Sequence, residues 1–207
     1  MSIEAVIFDF GNVFTVWNPG NALSKRYTEA EIERFFEDTN WDELIKKWDA
    51  GALHFQIHAE IQEVDKKLGT DYASIYEYYT IRFNETISQL VAGMEEIVRD
   101  LQANGIKTLG LTNWAAEDIF VAKEVVQAIS LMQGIVVSGI EKTTKPDPKI
   151  YEILLERYKL SADKCIFIDD KIENIQAAQK LGIIGFHFPD VNRSDEFRKF
   201  LEDRGVL

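Results

Sequence analysis

Residues 5–13 read Ala-Val-Ile-Phe-Asp-Phe-Gly-Asn-Val. A short β-branched and aromatic run that stops at an acid and then meets a Gly-Asn pair has the pattern of a buried strand opening into a loop. The strand is expected over residues 3–9, which puts Asp9 at its carboxyl end, where open α/β sheets receive their ligands. Taken alone, a strand-terminal Asp is most often a turn former or a helix cap. Three further segments alter that reading. One apolar run ends in Thr112-Asn113, a loop carries Lys145-Pro146, and the run Cys165–Ile168 ends in the pair Asp169-Asp170. Separate segments therefore deliver a carboxylate, a hydroxyl, an ammonium and two more carboxylates.

The chain around these segments alternates helical and strand patterns. Helices are expected over 95–104, 116–129, 150–158, 172–181 and 194–203, and strands over 107–111, 134–137, 164–168 and 183–188. Such alternation predicts a Rossmann-like α/β core with a parallel sheet covered on both faces. The stretch before residue 85 differs. Thr28-Glu29-Ala30-Glu31 has the form of a capping box, followed by Ile32, Phe35 and Phe36 at helical spacing. Helical patterns continue over 42–48, 55–68 and 72–83, with breaks at Gly51 and Gly69. A parallel crossover needs roughly 30 residues, whereas about a hundred separate Asp9 from Thr112. The surplus, residues 15–85, is expected as a helical cap subdomain inserted after the first strand, with 1–14 and 86–207 forming the core. An insert placed there would overhang the strand ends as a lid. No strand is expected within it.

Composition narrows the function classes. Apolar residues make up 46% of 207, with 13 Phe and 4 Trp, enough for a large core without cross-links. The single cysteine, Cys165, rules out an intrachain disulfide and fits a reducing, cytoplasmic setting. A net charge of −12 argues against nucleic-acid partners, which are held through clustered Lys and Arg. No apolar stretch approaches the ~18 residues of a membrane span. A small phosphorylated substrate stays compatible, because one Lys and a metal ion reverse the field inside a cleft. The expected state is a monomer or homodimer.

In order and content, the four segments resemble the haloacid dehalogenase superfamily: FDFGNV its first motif, LGLTN its second, KPDP its third and FIDDKIEN its fourth. The strings VWNP, LTNW, GIVVSG and IYEILLERY are similar to its sugar-1-phosphate-phosphatase-like branch. The resemblance implies that Asp9 is a nucleophile forming an aspartyl phosphate, which water then hydrolyses. It implies Mg²⁺ held by Asp9, Asp169, Asp170 and the Gly11 backbone carbonyl, consistent with hard oxygen ligands. Thr112 and the Asn113 amide would hold the phosphoryl oxygens, and Lys145 would offset the charge of nucleophile and phosphate. Lys142 is a nearby competitor for that role. Asn174, one helical turn past Asp170, would orient the acids. Trp114 follows the phosphate-binding pair directly, and Trp17, Asn18 and Trp48 are further candidates for the cleft wall.

One position departs from the family pattern. Most phosphatases of this superfamily carry a second Asp two residues after the nucleophile, to protonate the leaving oxygen and activate water; here it is Gly11. General acid–base catalysis contributes typically ~10²–10⁴-fold, so its loss narrows activity without abolishing it. The first reading is a Mg²⁺-dependent phosphatase of a small phosphorylated metabolite, with preference for easily departing groups such as a sugar 1-phosphate. The alternatives are a 2-haloacid dehalogenase, in which Asp9 attacks carbon without metal, and a non-catalytic phosphometabolite-binding protein. His54 or His58 in the insert would be replacements for the missing acid, although both, like His187, also read as packing or surface residues.

Overall fold

In the computed structural model, which describes residues 2–207, β1 (Ala5–Phe8) is buried along its whole length at the centre of a five-stranded parallel sheet. Its neighbours are β4 (Lys107–Thr112) and β6 (Cys165–Asp169), with β5 (Gly134–Val137) outside β4 and β7 (Ile184–His187) outside β6, in the order β5-β4-β1-β6-β7. The register Phe8↔Gly110 and Phe8↔Ile168 aligns the carboxyl ends of the three central strands. That alignment brings Asp9, Thr112 and Asp169 to one edge.

Successive side chains on a strand point to opposite faces. Ala5 and Ile7 accordingly join Leu109, Phe167 and Tyr151 on one side, while Val6 and Phe8 join Ile166, Ile168 and Phe197 on the other. The helices covering these faces are α5 (Met94–Ala103), α9 (Pro148–Tyr158), α10 (Ile172–Lys180) and α11 (Ser194–Glu202). Cys165 is buried in β6, where burial pushes its thiol up to about 12, so it serves packing and not nucleophilic chemistry.

Between β1 and β4 lie α1 (Glu29–Thr39), α2 (Trp41–Asp49), α3 (His54–Leu68) and α4 (Tyr72–Ile81). The capping box at Thr28 forms as the sequence suggests, with Glu31 and Thr28 satisfying each other's amides. Trp41 and Trp48 pack edge-on against Tyr76 and Tyr79, giving this insert an aromatic core continuous with one face of the sheet.

Two expectations need correction. The insert at 15–85 is not free of strands: β2 (Thr15–Trp17) opens it and pairs antiparallel with β3 (Ile87–Leu90), just past its end. The helix expected over 116–129 is broken into α6 (Ile119–Val125) and α7 (Gln127–Ser130) by Val126, which is extended (φ −112°, ψ 99°) and buried. A further short helix, α8 (Ser138–Glu141), follows β5. Among the described residues no helix is long and apolar enough to cross a membrane.

Candidate active site

The Lys145 ammonium is the centre of the site. Its Nζ lies 2.8 Å from Asp9 Oδ1 and 2.6 Å from Asp169 Oδ2, and the side chain is almost wholly buried. The Lys145 backbone is clamped by Asn113, whose Oδ1 accepts from the Lys145 amide at 2.8 Å while its Nδ2 donates to the Lys145 carbonyl at 3.0 Å. The Asn113 side chain is thus occupied in holding the lysine. Lys142, the competitor, adopts a left-handed conformation at the end of α8 and does not line the cleft.

Asp169 accepts hydrogen bonds on both oxygens: Oδ1 from the Lys171 amide (2.8 Å) and Asn174 Nδ2 (2.9 Å), Oδ2 from Asn174 Nδ2 (3.0 Å) and Lys145. Asn174 thus bonds Asp169 and not Asp170, and Tyr151 Oη donates to the Asn174 carbonyl at 2.9 Å. Asp170 receives Asn12 Nδ2 at 2.9 Å on Oδ2. Asn12 takes φ 57°, a left-handed conformation that Asn tolerates better than most residues. That turn aims the side chain of one motif at the acid of another, a role the sequence reading did not assign.

Carboxylate oxygens of Asp9, Asp169 and Asp170 all lie within 4.8 Å of one another. Burial raises Asp9 to about 7; Lys145 opposes this, and the charges of Asp169 and Asp170 add to it. Burial likewise raises Asp170, against the Asn12 hydrogen bond. Burial alone would lower Lys145, but Asp169 and Asp9 outweigh it and hold the ammonium above its ordinary value. One ammonium does not fully compensate three carboxylates, and like charges this close favour a proton or a cation between them. Oxygen donors in this number suit Mg²⁺. None of the loop hydrogen bonds among the described residues ends on the Gly11 carbonyl, which leaves that oxygen available as well.

Asp9, Gly11 and Asp170 line a cavity of about 150 Å³, with Asp169 buried beneath it. Asp9, Gly11, Asn12, Asn113, Lys145 and Asp170 form its polar floor, and Trp17, Trp48, Phe83 and Trp114 its aromatic wall. Thr112 ends β4 buried behind Asn113 and does not itself line the cavity. Trp114 is fixed by its amide donating to Ser138 Oγ at 3.0 Å and by its carbonyl accepting from the Gly139 amide at 3.1 Å. A Cβ on Gly139 would sit 2.5 Å from the Ala116 nitrogen and 2.8 Å from the Trp114 oxygen, both backbone atoms. Gly139→Ala should therefore destabilise by about 1–3 kcal/mol, lowering Tm in thermal unfolding by roughly 2–12 °C at this chain length. An unchanged Tm would mean that the Trp114 loop shifts freely.

A family model described as haloacid dehalogenase-like hydrolase matches residues 3–182. The chain belongs to that family. It is 28% identical over 190 residues to a sesquiterpene phosphatase of Aspergillus oryzae, with 91% of each chain covered. Its fold is similar to that of a HAD-like hydrolase from Porphyromonas gingivalis (TM-score 0.74, 16% identity, 97% and 98% of the two chains). It is also similar to a Bacteroides thetaiotaomicron enzyme of the family solved with magnesium and inorganic phosphate (TM-score 0.68, 16% identity, 90% and 94%).

Several cleft assignments change for this hydrolase. Asn18 lies outside the cavity and caps a short turn, accepting from the Gly20 amide at 2.9 Å. His54 and His58 are not cavity residues either. His54 contacts Tyr76 Oη (2.9 Å) and Asp118 (3.2 Å), and His58 contacts Glu77 (3.1 Å). His187 pairs with the Asp170 carbonyl at 3.0 Å. Two charged residues that the sequence reading passed over do line it, Lys171 beside the acid pair and Asp49 at the end of α2.

The raised acids set the pH dependence of the metal-free protein. Burial lifts Asp49 to about 7, against the pull of Lys171 and Lys145, so Asp49 and Asp9 both hold protons in the folded state that the unfolded chain has already released. The folded state binds more protons across that window, so stability falls as pH rises from about 4 to about 7. Carboxylates held low, such as Asp65 and Glu31, contribute a constant stability across that window and lose it only as pH falls below it. In chelator, Tm should be lower at about pH 7.5 than at about pH 5, and Mg²⁺ should restore more of it at the higher pH. A metal-free Tm that climbs over this interval would contradict the proton assignment.

Proposed function

We propose that this hydrolase is a Mg²⁺-dependent phosphatase of a small phosphorylated metabolite, acting through an aspartyl phosphate on Asp9. Residues 15–85 act as its helical cap. The observation that carries this reading is Lys145 bridging Asp9 and Asp169 at the floor of a cavity that Asp170 also lines.

In this reading Asp9 attacks phosphorus, Lys145 holds the Asp9 carboxylate in place and offsets phosphoryl charge, and the Asn113 amide holds a phosphoryl oxygen, with Thr112 buried behind it and not in contact with the substrate. Asp9, Asp170 and the Gly11 carbonyl, supported by Asp169, are the ligand set for Mg²⁺. Bound there, the ion would supply charge neutralisation of the phosphoryl group. The four hydrogen bonds on Asp169 leave Asp9 and Asp170 with the freer lone pairs.

Size and chemistry bear on the substrate. About 150 Å³ is the order of cavity that takes one benzene-sized molecule. A phosphoryl group and a compact organic group fill it. A sugar 1-phosphate is the first candidate, since Gly11 offers no acid and an anomeric oxygen departs readily. Trp17, Trp48 and Trp114 would stack on the ring. The aromatic wall, with the Aspergillus phosphatase as a relative, gives a second reading, a short apolar alcohol phosphate.

The test is phosphate release from p-nitrophenyl phosphate with Mg²⁺ and with chelator, followed by glucose 1-phosphate against glucose 6-phosphate and a short prenyl phosphate. Turnover that requires Mg²⁺ and favours glucose 1-phosphate is expected. Chloride release from 2-chloropropionate in chelator, without phosphatase activity, would instead establish a dehalogenase. Phosphate binding without turnover would establish a binding protein.

A further inference from the structure

We propose that Asp49 supplies the acid–base group that Gly11 lacks, protonating the leaving oxygen from the inserted helices. The proposal rests on the phosphatase reading and deepens it. The first observation is a gap: a Cβ on Gly11 would meet nothing within 4 Å, and Gly11 lines the cavity, so the space beside the nucleophile where an acid would sit is open. Gly11 does not require a positive φ, so the backbone alone does not explain the glycine.

The second observation is a carboxyl group facing that space from another element. Asp49 is the last residue of α2 and lines the same cavity as Asp9, Gly11 and Lys145. It is half-buried and makes no hydrogen bond among the described residues, unlike the other acids of the site. Asp9 and Asp169 are engaged by Lys145, Asp169 further by Asn174, and Asp170 by Asn12. A carboxyl group without a partner in an aromatic-walled cleft remains free to meet a ligand.

Its placement is anchored. Two residues on, Gly51 packs so tightly against α8 that a Cβ there would lie 2.9 Å from the Gly139 carbonyl. Gly139 in turn holds the Trp114 carbonyl. The end of α2 is thus tied to the loop that carries Asn113, and Asn113 clamps Lys145. Burial favours the protonated form of Asp49 near neutrality, as a general acid requires, while Lys171 and Lys145 keep its ionised form accessible.

The proton balance closes over two steps. An Asp9 oxygen attacks phosphorus, the phosphorus–oxygen bond to the organic group breaks, and the Asp49 proton passes to that oxygen, releasing the alcohol. The Asp49 carboxylate then takes a proton from water as the water oxygen attacks phosphorus. The bond to Asp9 breaks, and phosphate leaves with Asp49 protonated again.

The test measures kcat/KM with Mg²⁺ on p-nitrophenyl phosphate, whose leaving group needs little protonation, and on propyl phosphate, whose leaving group needs much. Asp49→Asn should lower kcat/KM, which reports the steps up to release of the alcohol, on propyl phosphate by about 10²-fold or more and on p-nitrophenyl phosphate by less than about tenfold. Gly11→Asp added to Asp49→Asn places a carboxyl group in the open space and should recover much of the propyl phosphate rate. A merely structural role for Asp49 would not be rescued from that position. Equal losses on both substrates, or absence of rescue in a double variant whose Tm matches the wild type, would overturn the proposal and leave the phosphatase reading intact. No Mg²⁺-dependent turnover of either ester by the wild-type protein would overturn both.

Discussion

Asp9→Asn should abolish turnover while leaving the fold intact. In the proposed mechanism the attacking atom is an Asp9 oxygen, and a carboxamide of the same shape is far too weak a nucleophile to replace it. Loss of the nucleophile in a comparable hydrolase costs on the order of 10⁶-fold in kcat, so Mg²⁺-dependent phosphate release should fall by at least ~10⁴-fold. Stability should move the other way. Burial and the neighbouring acids disfavour the Asp9 charge in the metal-free protein, so a neutral Asn at this position removes repulsion among three carboxylates. Lys145 keeps its 2.6 Å contact with Asp169. Without metal at about pH 7.5, the variant should melt no lower than the wild type, and added Mg²⁺ should raise its Tm by less. Phosphate release within tenfold of wild type would show that water attacks phosphorus directly and that Asp9 is only a ligand.

The parts of this site that were legible in the sequence share one property: each is a residue at or beside the end of an apolar run. Asp9, Asn113 and the Asp169-Asp170 pair are fixed by strands whose hydrophobic patterns place their ends, and a parallel sheet then aligns those ends at one edge. Lys145 is farther from its strand, beyond α8; the Lys145-Pro146 pair stands out in the sequence, but its role comes from the resemblance. Asp49 was not legible. Its neighbours Trp48 and Lys47 continue an ordinary amphipathic helix, and it is the tertiary packing, with Gly51 close against Gly139, that brings the end of α2 to the cleft. Asn18 erred in the opposite direction, because local capping of the Gly20 amide claimed its side chain. The ribbon strands β2 and β3 span three and four residues, too short to show an alternating pattern. The break at Val126 has no Gly or Pro to announce it; the buried Val126 side chain packs with Ile119 and Ala122 in the core.

Lys145→Met should damage both activity and stability, and the pH dependence should separate the two. The ammonium is buried against two carboxylates at 2.8 and 2.6 Å, so its removal leaves Asp9 and Asp169 without the cation that offsets them. Asp169, fully buried, keeps its bonds from Asn174 and the Lys171 amide but loses its only ion-pair partner among the described residues. Breaking a buried pair by deleting one partner costs about 3–5 kcal/mol. Methionine retains most of the apolar stem, so the deficit reports on the lost charge, including the ammonium's place 5.4 Å from the Phe167 ring centroid, more than on packing. Protonating the stranded acids relieves part of it, and the gap in Tm to the wild type should narrow from about pH 7.5 to about pH 5. Kinetically, loss of one preorganised positive group beside the phosphoryl charge should cost at least about 10²–10³-fold in kcat. Mg²⁺ should recover part of the stability, because a second cation can sit among the same carboxylates. It should not recover the rate, because the group that fixes the Asp9 oxygen is gone. Adding Asp9→Asn should return more stability than that change gives to the wild type, since the two residues share one charge network and their effects are not additive. Additive effects in the double variant would mean that the Lys145–Asp9 contact carries no energy of its own, and that Lys145 serves the site through Asp169 alone.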